Sequence, residues 1–178
     1  MGTWRGRYFI PDDALPLGVR VDVVVGTKNY SATFVKRPVP YVIVAWPTTV
    51  EPTPEDEAAL ERVRCTICGL GNIGQSPSIP KLAVVSPTDG VGAVFFRGRL
   101  ANGEPWHPRV ASTGLLALGV ALSRAGTTAS LIGGQLVTEV IVETPAGLRL
   151  LGRDDVGRDT VITLSVTVMP FVADSEES

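Results

Sequence analysis

The chain has 178 residues, sixteen Lys and Arg against eighteen Asp and Glu, and a formal charge of −2. That length suits one domain with a self-sufficient core. A near-neutral balance without a Lys/Arg run, and aromatics scattered rather than grouped, exclude a nucleic-acid track and its stacking platforms. The first ten residues, MGTWRGRYFI, lack the charged start and apolar core of a signal peptide, so a cytoplasmic location is expected.

In chain order, Thr3 to Ile10 reads as an edge strand, followed by the turn-rich PDDALPLG. Val19 to Val25 alternates Arg20 and Asp22 with valines, as a strand with one wet face does. Gly26 to Asn29 supplies a turn, and Tyr30 to Val35 the hairpin return. YVIVAW (41–46) is apolar almost throughout, which suits a strand buried on both faces. A helix then has agreeing start signals. Thr53 can cap, Pro54 takes the first helical position, and Glu55, Asp56 and Glu57 complement the dipole. Leu60, Val63 and Ile67 share one face, with Glu61, Arg62 and Arg64 elsewhere, and the helix should end at Gly69. The twelve-residue loop GLGNIGQSPSIP that follows is long enough to line a site, which makes Asn72 and Ser76 candidates for substrate binding.

Two motifs in this region carry less than they suggest. Cys65 and Cys68 form a CxxC, but it closes a helix, whereas a redox pair usually opens one. A zinc set would have to recruit carboxylates or a second chain, because the single His107 is distant in sequence. Two small core-facing residues near a helix end is the reading adopted, and no metal is assigned. The glycines of GLGNIG follow a helix, not the strand that a dinucleotide loop requires.

KLAVVS (81–86) is a further buried strand, and Val91 to Arg97 with Arg99 and Leu100 another, joined through Asp89-Gly90. The next stretch is HPRVASTGLLALGVALSRAGT, 107–127. Ser112 and Thr113 are good N-cap types, and Gly126 stands at the expected stop. Leu115 to Leu122 is apolar on every side, so this helix must be wrapped by protein, and it is too short to span a bilayer. Beyond it, Ala129–Ile132, Leu136–Glu143, Gly147–Leu151 and Val161–Phe171 are strand-like. The acidic ADSEES at 173–178 is expected to be disordered. About nine strands and two helices give a single α+β domain over 1–172.

Several segments, taken in order, resemble the PrpF-type methylaconitate isomerase family of the diaminopimelate-epimerase-like superfamily. They are RGRYFIPDDALP (5–16), VRVDVVVGTKNYSATFV (19–35), PYVIVAW (40–46), EAALERVRCTICGLG (57–71), SPSIPKLAVVSP (76–87) and HPRVASTGLLALGVALSRAGT (107–127). The most specific are PKLAVVSP and HPRVASTG. The resemblance implies an antiparallel sheet or barrel wrapped around a central buried helix, with one additional surface helix. Family members carry two such lobes with the active site between them, so this chain looks like one complete lobe. The other would be reduced to strands within 1–50 or supplied by a second copy, and a homodimer is expected.

The chemistry implied is a proton or double-bond shift beside a carboxylate, without metal or organic cofactor, on a small-molecule carboxylate and without nucleic acid or membrane. It needs a base, an acid and donors for the developing negative charge, and a helix N-terminus can supply the donors. The matching terminus is Ser112-Thr113-Gly114. Related epimerases open this helix with a catalytic cysteine, and Ser112 or Thr113 stands near that position as a general acid or hydrogen-bond donor. The lysine that the family carries after its first Arg-Gly is absent, because Arg5-Gly6 runs directly to Arg7-Tyr8-Phe9. His107 then has the most suitable pKa for proton transfer. Lys81 matches a family position, and Arg109 could clamp a carboxylate or cover apolar surface with its stem. Two alternatives stand beside this reading. One is a cyclase or pericyclic-type enzyme holding a hydrophobic biosynthetic intermediate in a pocket of Trp4, Trp46, Phe95, Phe96 and Trp106. The other is a non-catalytic ligand-binding or partner subunit.

Overall fold

The computed structural model describes residues 5–72, 79–99 and 105–165. Nine strands form one sheet: β1 (Arg5–Phe9), β2 (Val21–Val25), β3 (Lys28–Val35), β4 (Tyr41–Ala45), β5 (Lys81–Ser86), β6 (Val94–Arg99), β7 (Glu139–Thr144), β8 (Gly147–Val156) and β9 (Asp159–Ser165). Three helices join them: α1 (Pro54–Leu70), α2 (Ser112–Ser123) and α3 (Thr128–Gly133). The spatial order is β1-β9-β8-β7-β6-β5-β4-β3-β2. Among the described residues β1 and β2 are edges, so the sheet is open and not a closed barrel.

The sheet is also not wholly antiparallel. β4 pairs with β5 in parallel, and β6 with β7. Both exceptions have one cause: α1 lies between β4 and β5, and α2 with α3 between β6 and β7. A crossover helix returns the chain to the end from which it left.

α2 touches β3 and β4 on one side and β8 and β9 on the other. In a flat sheet β3 and β9 would be six strand spacings apart, roughly 29 Å, whereas a helix with its side chains is about 10 Å across. The sheet must therefore curl over α2. Leu115, Ala117, Leu118, Val120, Ala121 and Leu122 have no exposure at all, in accord with their all-round apolarity. They share one core with Ile43, Ala83, Phe96, Val142, Leu151 and Ile162. The opposite face of β2 to β5 packs a second core against Leu60, Val63 and Ile67 of α1. β4 and β5 lie between the two cores, which is why YVIVA and KLAVVS are apolar at nearly every position.

Several local expectations need correction. Ala129–Ile132 is helical, not extended: Thr127 caps α3 by accepting from the Ser130 N–H, a signal that outweighs the short apolar run. α1 ends at Leu70 with Gly71 as its C-cap, two residues beyond Gly69. Its start is as read, with a capping box in which Thr53 and Asp56 satisfy each other's backbone N–H. Arg64 is not on the wet side of α1. It is 3% exposed, held by Glu61 one turn earlier and reaching the Pro80 carbonyl at 3.5 Å. Cys68 is buried and Cys65 half-buried, both as free thiols, and burial pushes the Cys68 thiol pKa up. Among the described residues no helix is long and apolar enough to cross a membrane.

Candidate functional site

The two ends of α2 are built differently. At its C-terminus all four final carbonyls have partners. Val120 O accepts from Ser123 Oγ, Ala121 O from Thr127 Oγ1 at 2.6 Å, and Leu122 O from the Leu136 N–H. Ser123 O accepts from both Gln135 Nε2 and Arg153 Nη1 at 3.0 Å. Here the helix is closed by Ser123 with Arg124 as C-cap, and Gly126, at φ 87, serves the turn into α3.

The N-terminus is open. Neither Ser112 nor Thr113 is the N-cap. That position is Ala111, which has no side chain able to cap, and the first turn carries no acidic residue. The Gly114 and Leu115 N–H groups return to Ala111 O. Those of Ser112 and Thr113 have no acceptor among the described residues. A helix start of this kind presents unpaired N–H groups and the positive end of the dipole together, the combination that favours an anion. α1, with its capping box and three acidic residues, has nothing comparable to offer.

Beneath this terminus sits Tyr41, the first residue of β4. It is 4% exposed. Its hydroxyl lies so close to α2 that a Cβ on Gly114 would fall 2.9 Å from it. Lys81, its parallel neighbour on β5, holds its ammonium 5.8 Å from the ring centroid. A Cβ on Gly98 would be 4.0 Å from the ring edge, and the His107 N–H donates to the Gly98 carbonyl at 3.0 Å. Gly114 and Lys81 therefore meet around Tyr41, Thr113 precedes Gly114 at the helix start, and the backbone of His107 is tied to Gly98 beside the ring. Burial raises the Tyr41 pKa above its ordinary 10.0. The phenol is consequently a neutral hydrogen-bonding group at neutral pH.

Tyr41 had no place among the sequence candidates. The available signal was that it alone, in YVIVA, carries a polar atom, yet the partner of that atom is fixed only by the approach of α2. Ser112 and Arg109 are exposed at the helix entry, and Lys81 and His107 are half-buried. Asn72 is exposed beyond the end of α1 at φ 50, and no described contact joins it to Tyr41. Ser76 lies outside the described residues.

On the other face, Arg99 is 2% exposed, pairs with Glu57 at 3.3 Å and stacks 5.1 Å from the Trp106 ring centre, while Trp106 Nε1 donates to Glu57 at 2.8 Å. Trp106 is thus a structural link between α1 and β6. Phe96 is core, and Phe95 lies under Arg97. Trp46 lines a cavity of about 570 Å³ with Tyr30, Pro47 and Val50, at the end of β4 away from Tyr41. Phe95 lines a different cavity of about 380 Å³. The described members of the aromatic set do not share one pocket, and Trp4 lies outside the described residues. No group of three or more His, Cys, Asp or Glu placed to hold a metal ion occurs among the described residues.

The protein has an α+β fold with a helix N-terminus open at one end of a curled sheet. That fold is similar to the crystal structure of a methylitaconate-delta-isomerase, with a TM-score of 0.70 at 17% identity over 86% of this chain. At that identity the likeness is one of fold. The chain spans about half the length of that structure, 50% of it. No family model matches the chain. No curated protein matches it.

Proposed function

We propose that the chain is an isomerase or tautomerase, or one lobe of such an enzyme, that moves a proton or double bond beside the carboxylate of a small unsaturated acid. The observation that carries this reading is the uncapped, acid-free start of α2, set against Tyr41 and Lys81. In this account the Ser112 and Thr113 N–H groups and the helix dipole receive a substrate carboxylate, with Lys81 and Arg109 adding positive charge. The Thr113 hydroxyl donates to the oxygen on which charge develops, and His107 is the base that removes the proton. Backbone N–H groups and side chains of this chain supply every role, so the reaction is assigned no metal or organic cofactor. The structural neighbour is an isomerase, and the PKLAVVSP and HPRVASTG pieces point the same way. A second copy of the chain is the proposed cover for the open side of the site, giving a homodimer.

The cyclase reading has one observation in its favour, the cavity beside Trp46. Its volume of about 570 Å³ falls in the usual range for a ligand pocket.

The test is a panel of unsaturated di- and tricarboxylates incubated with the protein and followed by proton NMR. Double-bond migration in at least one acid, lost in His107→Ala, is expected. Migration that survives His107→Ala removes the assigned base. A panel left unchanged, together with co-purification of a larger isomerase subunit, would favour the non-catalytic reading.

A further inference from the structure

We infer that Arg149, on the inner face of β8, is a substrate-binding residue of this site, its guanidinium receiving a carboxylate of the acid from within the curled sheet. The inference rests on the isomerase reading and adds to it a binding residue outside the helix start.

β4 and β5 are parallel, β6 runs against β5, β7 is parallel to β6, and β8 runs against β7. β8 therefore has the direction of β4, and both strands begin at the same end of the sheet. Tyr41, the first residue of β4, packs under the start of α2, so the first residues of β8 lie at the end where α2 opens. Arg153, further along β8, agrees with this: its Nη1 donates to Ser123 O, at the other end of the helix, at 3.0 Å. Side chains alternate along a strand, so Arg149, Leu151 and Arg153 share a face. Leu151 belongs to the core around α2, and so does Val142, the cross-strand partner of Arg149. Arg149 thus points into the curl. The stretch from Arg153 back to Arg149 spans about 13 Å, against about 18 Å for the whole of α2, which sets Arg149 toward the open half of the helix.

The two arginines differ in what receives them. Arg153 is held by two carbonyls, Ser123 O and, at 3.1 Å, Leu136 O, at the negative end of α2. Arg149 is half-buried, its Nε is enclosed without a hydrogen-bond partner, and it makes no ion pair among the described residues. Burial lowers its pKa. An enclosed N–H without an acceptor is costly, and a cation toward the positive end of a helix is unfavourable as well. Leucine or methionine would fill this place beside Leu151 and Val142 without either cost. What the guanidinium adds is a planar fork that binds a carboxylate through two hydrogen bonds. The helix start and Arg149 both favour negative charge, and an anion between them would satisfy the unpaired N–H groups of each.

The experiment measures binding of the unsaturated di- and tricarboxylates by titration calorimetry, and melting without acid, for the parent, Arg149→Met, Arg149→Lys and Arg153→Met. Methionine keeps an unbranched apolar stem without the charge, and lysine keeps the charge without the fork. Without acid, Arg149→Met should melt at or above the parent, because an unpartnered donor is removed. Arg153→Met should melt lower, because two carbonyls lose theirs. For an acid that the parent binds, the dissociation constant should rise about tenfold or more in Arg149→Met, the loss of one charge-assisted hydrogen bond, with Arg149→Lys between. The methyl ester of that acid, which carries no charge, should bind to none of the four proteins. In turnover, Arg149→Met should raise KM by about the same factor, with kcat changed by less than about threefold. Equal affinity of the parent and Arg149→Met, binding of no acid by the parent, or an Arg149→Met protein that melts as low as Arg153→Met would overturn the inference. Binding that depends on Arg149 in a protein without turnover would overturn the isomerase reading and leave Arg149 as an anion receptor.

Discussion

Replacing Gly114 with alanine sets two opposing effects on one residue. Alanine is favoured over glycine in a helix by about 1 kcal/mol. Against that gain, the new Cβ would lie 2.9 Å from Tyr41 Oη, 3.2 Å from its Cζ and 3.2 Å from Val110 Cγ1. Forcing a methyl into a filled core costs about 1–3 kcal/mol, so the net effect is a loss of about 0–2 kcal/mol. In a domain of this size each kcal/mol lowers Tm by roughly 2–4 °C, a shift that calorimetry resolves. The effect on the site is larger in proportion, because the side chain that must give way is Tyr41, which packs directly under the start of α2. Gly119→Ala is the matched control. Its Cβ would meet Ile162 Cγ2 at 2.6 Å on the same helix, with a comparable stability cost and no contact to Tyr41. Both variants should melt lower, and only Gly114→Ala should lose isomerisation by tenfold or more. A Gly114→Ala protein that is more stable than the parent and fully active would refute the reasoning, since Tyr41 would then be free to step aside.

Three further outcomes follow from buried polar groups. Glu143→Ala removes the acceptor of the Thr88 hydroxyl and of the Gly92 N–H at 3.2 Å, and should cost about 1–3 kcal/mol in urea denaturation without altering the Tyr41 titration. Glu57→Ala removes an ion-pair partner of Arg99 and the acceptor of the Trp106 indole N–H, and should cost about 1–3 kcal/mol, read in the same assay. Burial raises the pKa of both Tyr41 and Tyr8 in the folded chain. Above pH 10.0 the unfolded state therefore ionises first, so their contribution is complete below that pH and is lost as pH rises beyond it. Thermal melts should fall more steeply above pH 10 in the parent than in Tyr8→Phe/Tyr41→Phe; identical slopes would remove this contribution.

Local signals were read well where they were self-contained. Thr53, Pro54 and three acidic residues define the start of α1 within four positions, and the side chains concerned do meet. The all-round apolarity of 115–122 matches near-complete burial in the curled sheet. Errors arose where a residue type serves two purposes. Ser112 and Thr113 have the composition of caps, but Ala111 holds the cap position. The apolar ASLI at 129–132 fits a strand until the Thr127 cap is seen. Arg64 counts as surface until Glu61 and the Pro80 carbonyl take up its charge.

The candidate site shows the same division. Gly114 and Lys81, candidates from segment resemblance, both lie against Tyr41. Tyr41 itself was not among the candidates, because its place under the start of α2 joins residues far apart in sequence and depends on the parallel register that sets it beside Lys81. Parallel pairing itself was missed, since alternation of side chains does not distinguish the direction of a neighbouring strand.

The central proposal is that His107 abstracts and returns a proton next to a carboxylate held at the open start of α2. Its most direct test is incubation of unsaturated dicarboxylates with the protein in deuterium oxide, followed by mass spectrometry of the recovered acid. Deuterium entering one acid above the background rate, and not with the His107→Ala protein, is the predicted result. No acid exchanging above background, or exchange indifferent to His107, would contradict the account.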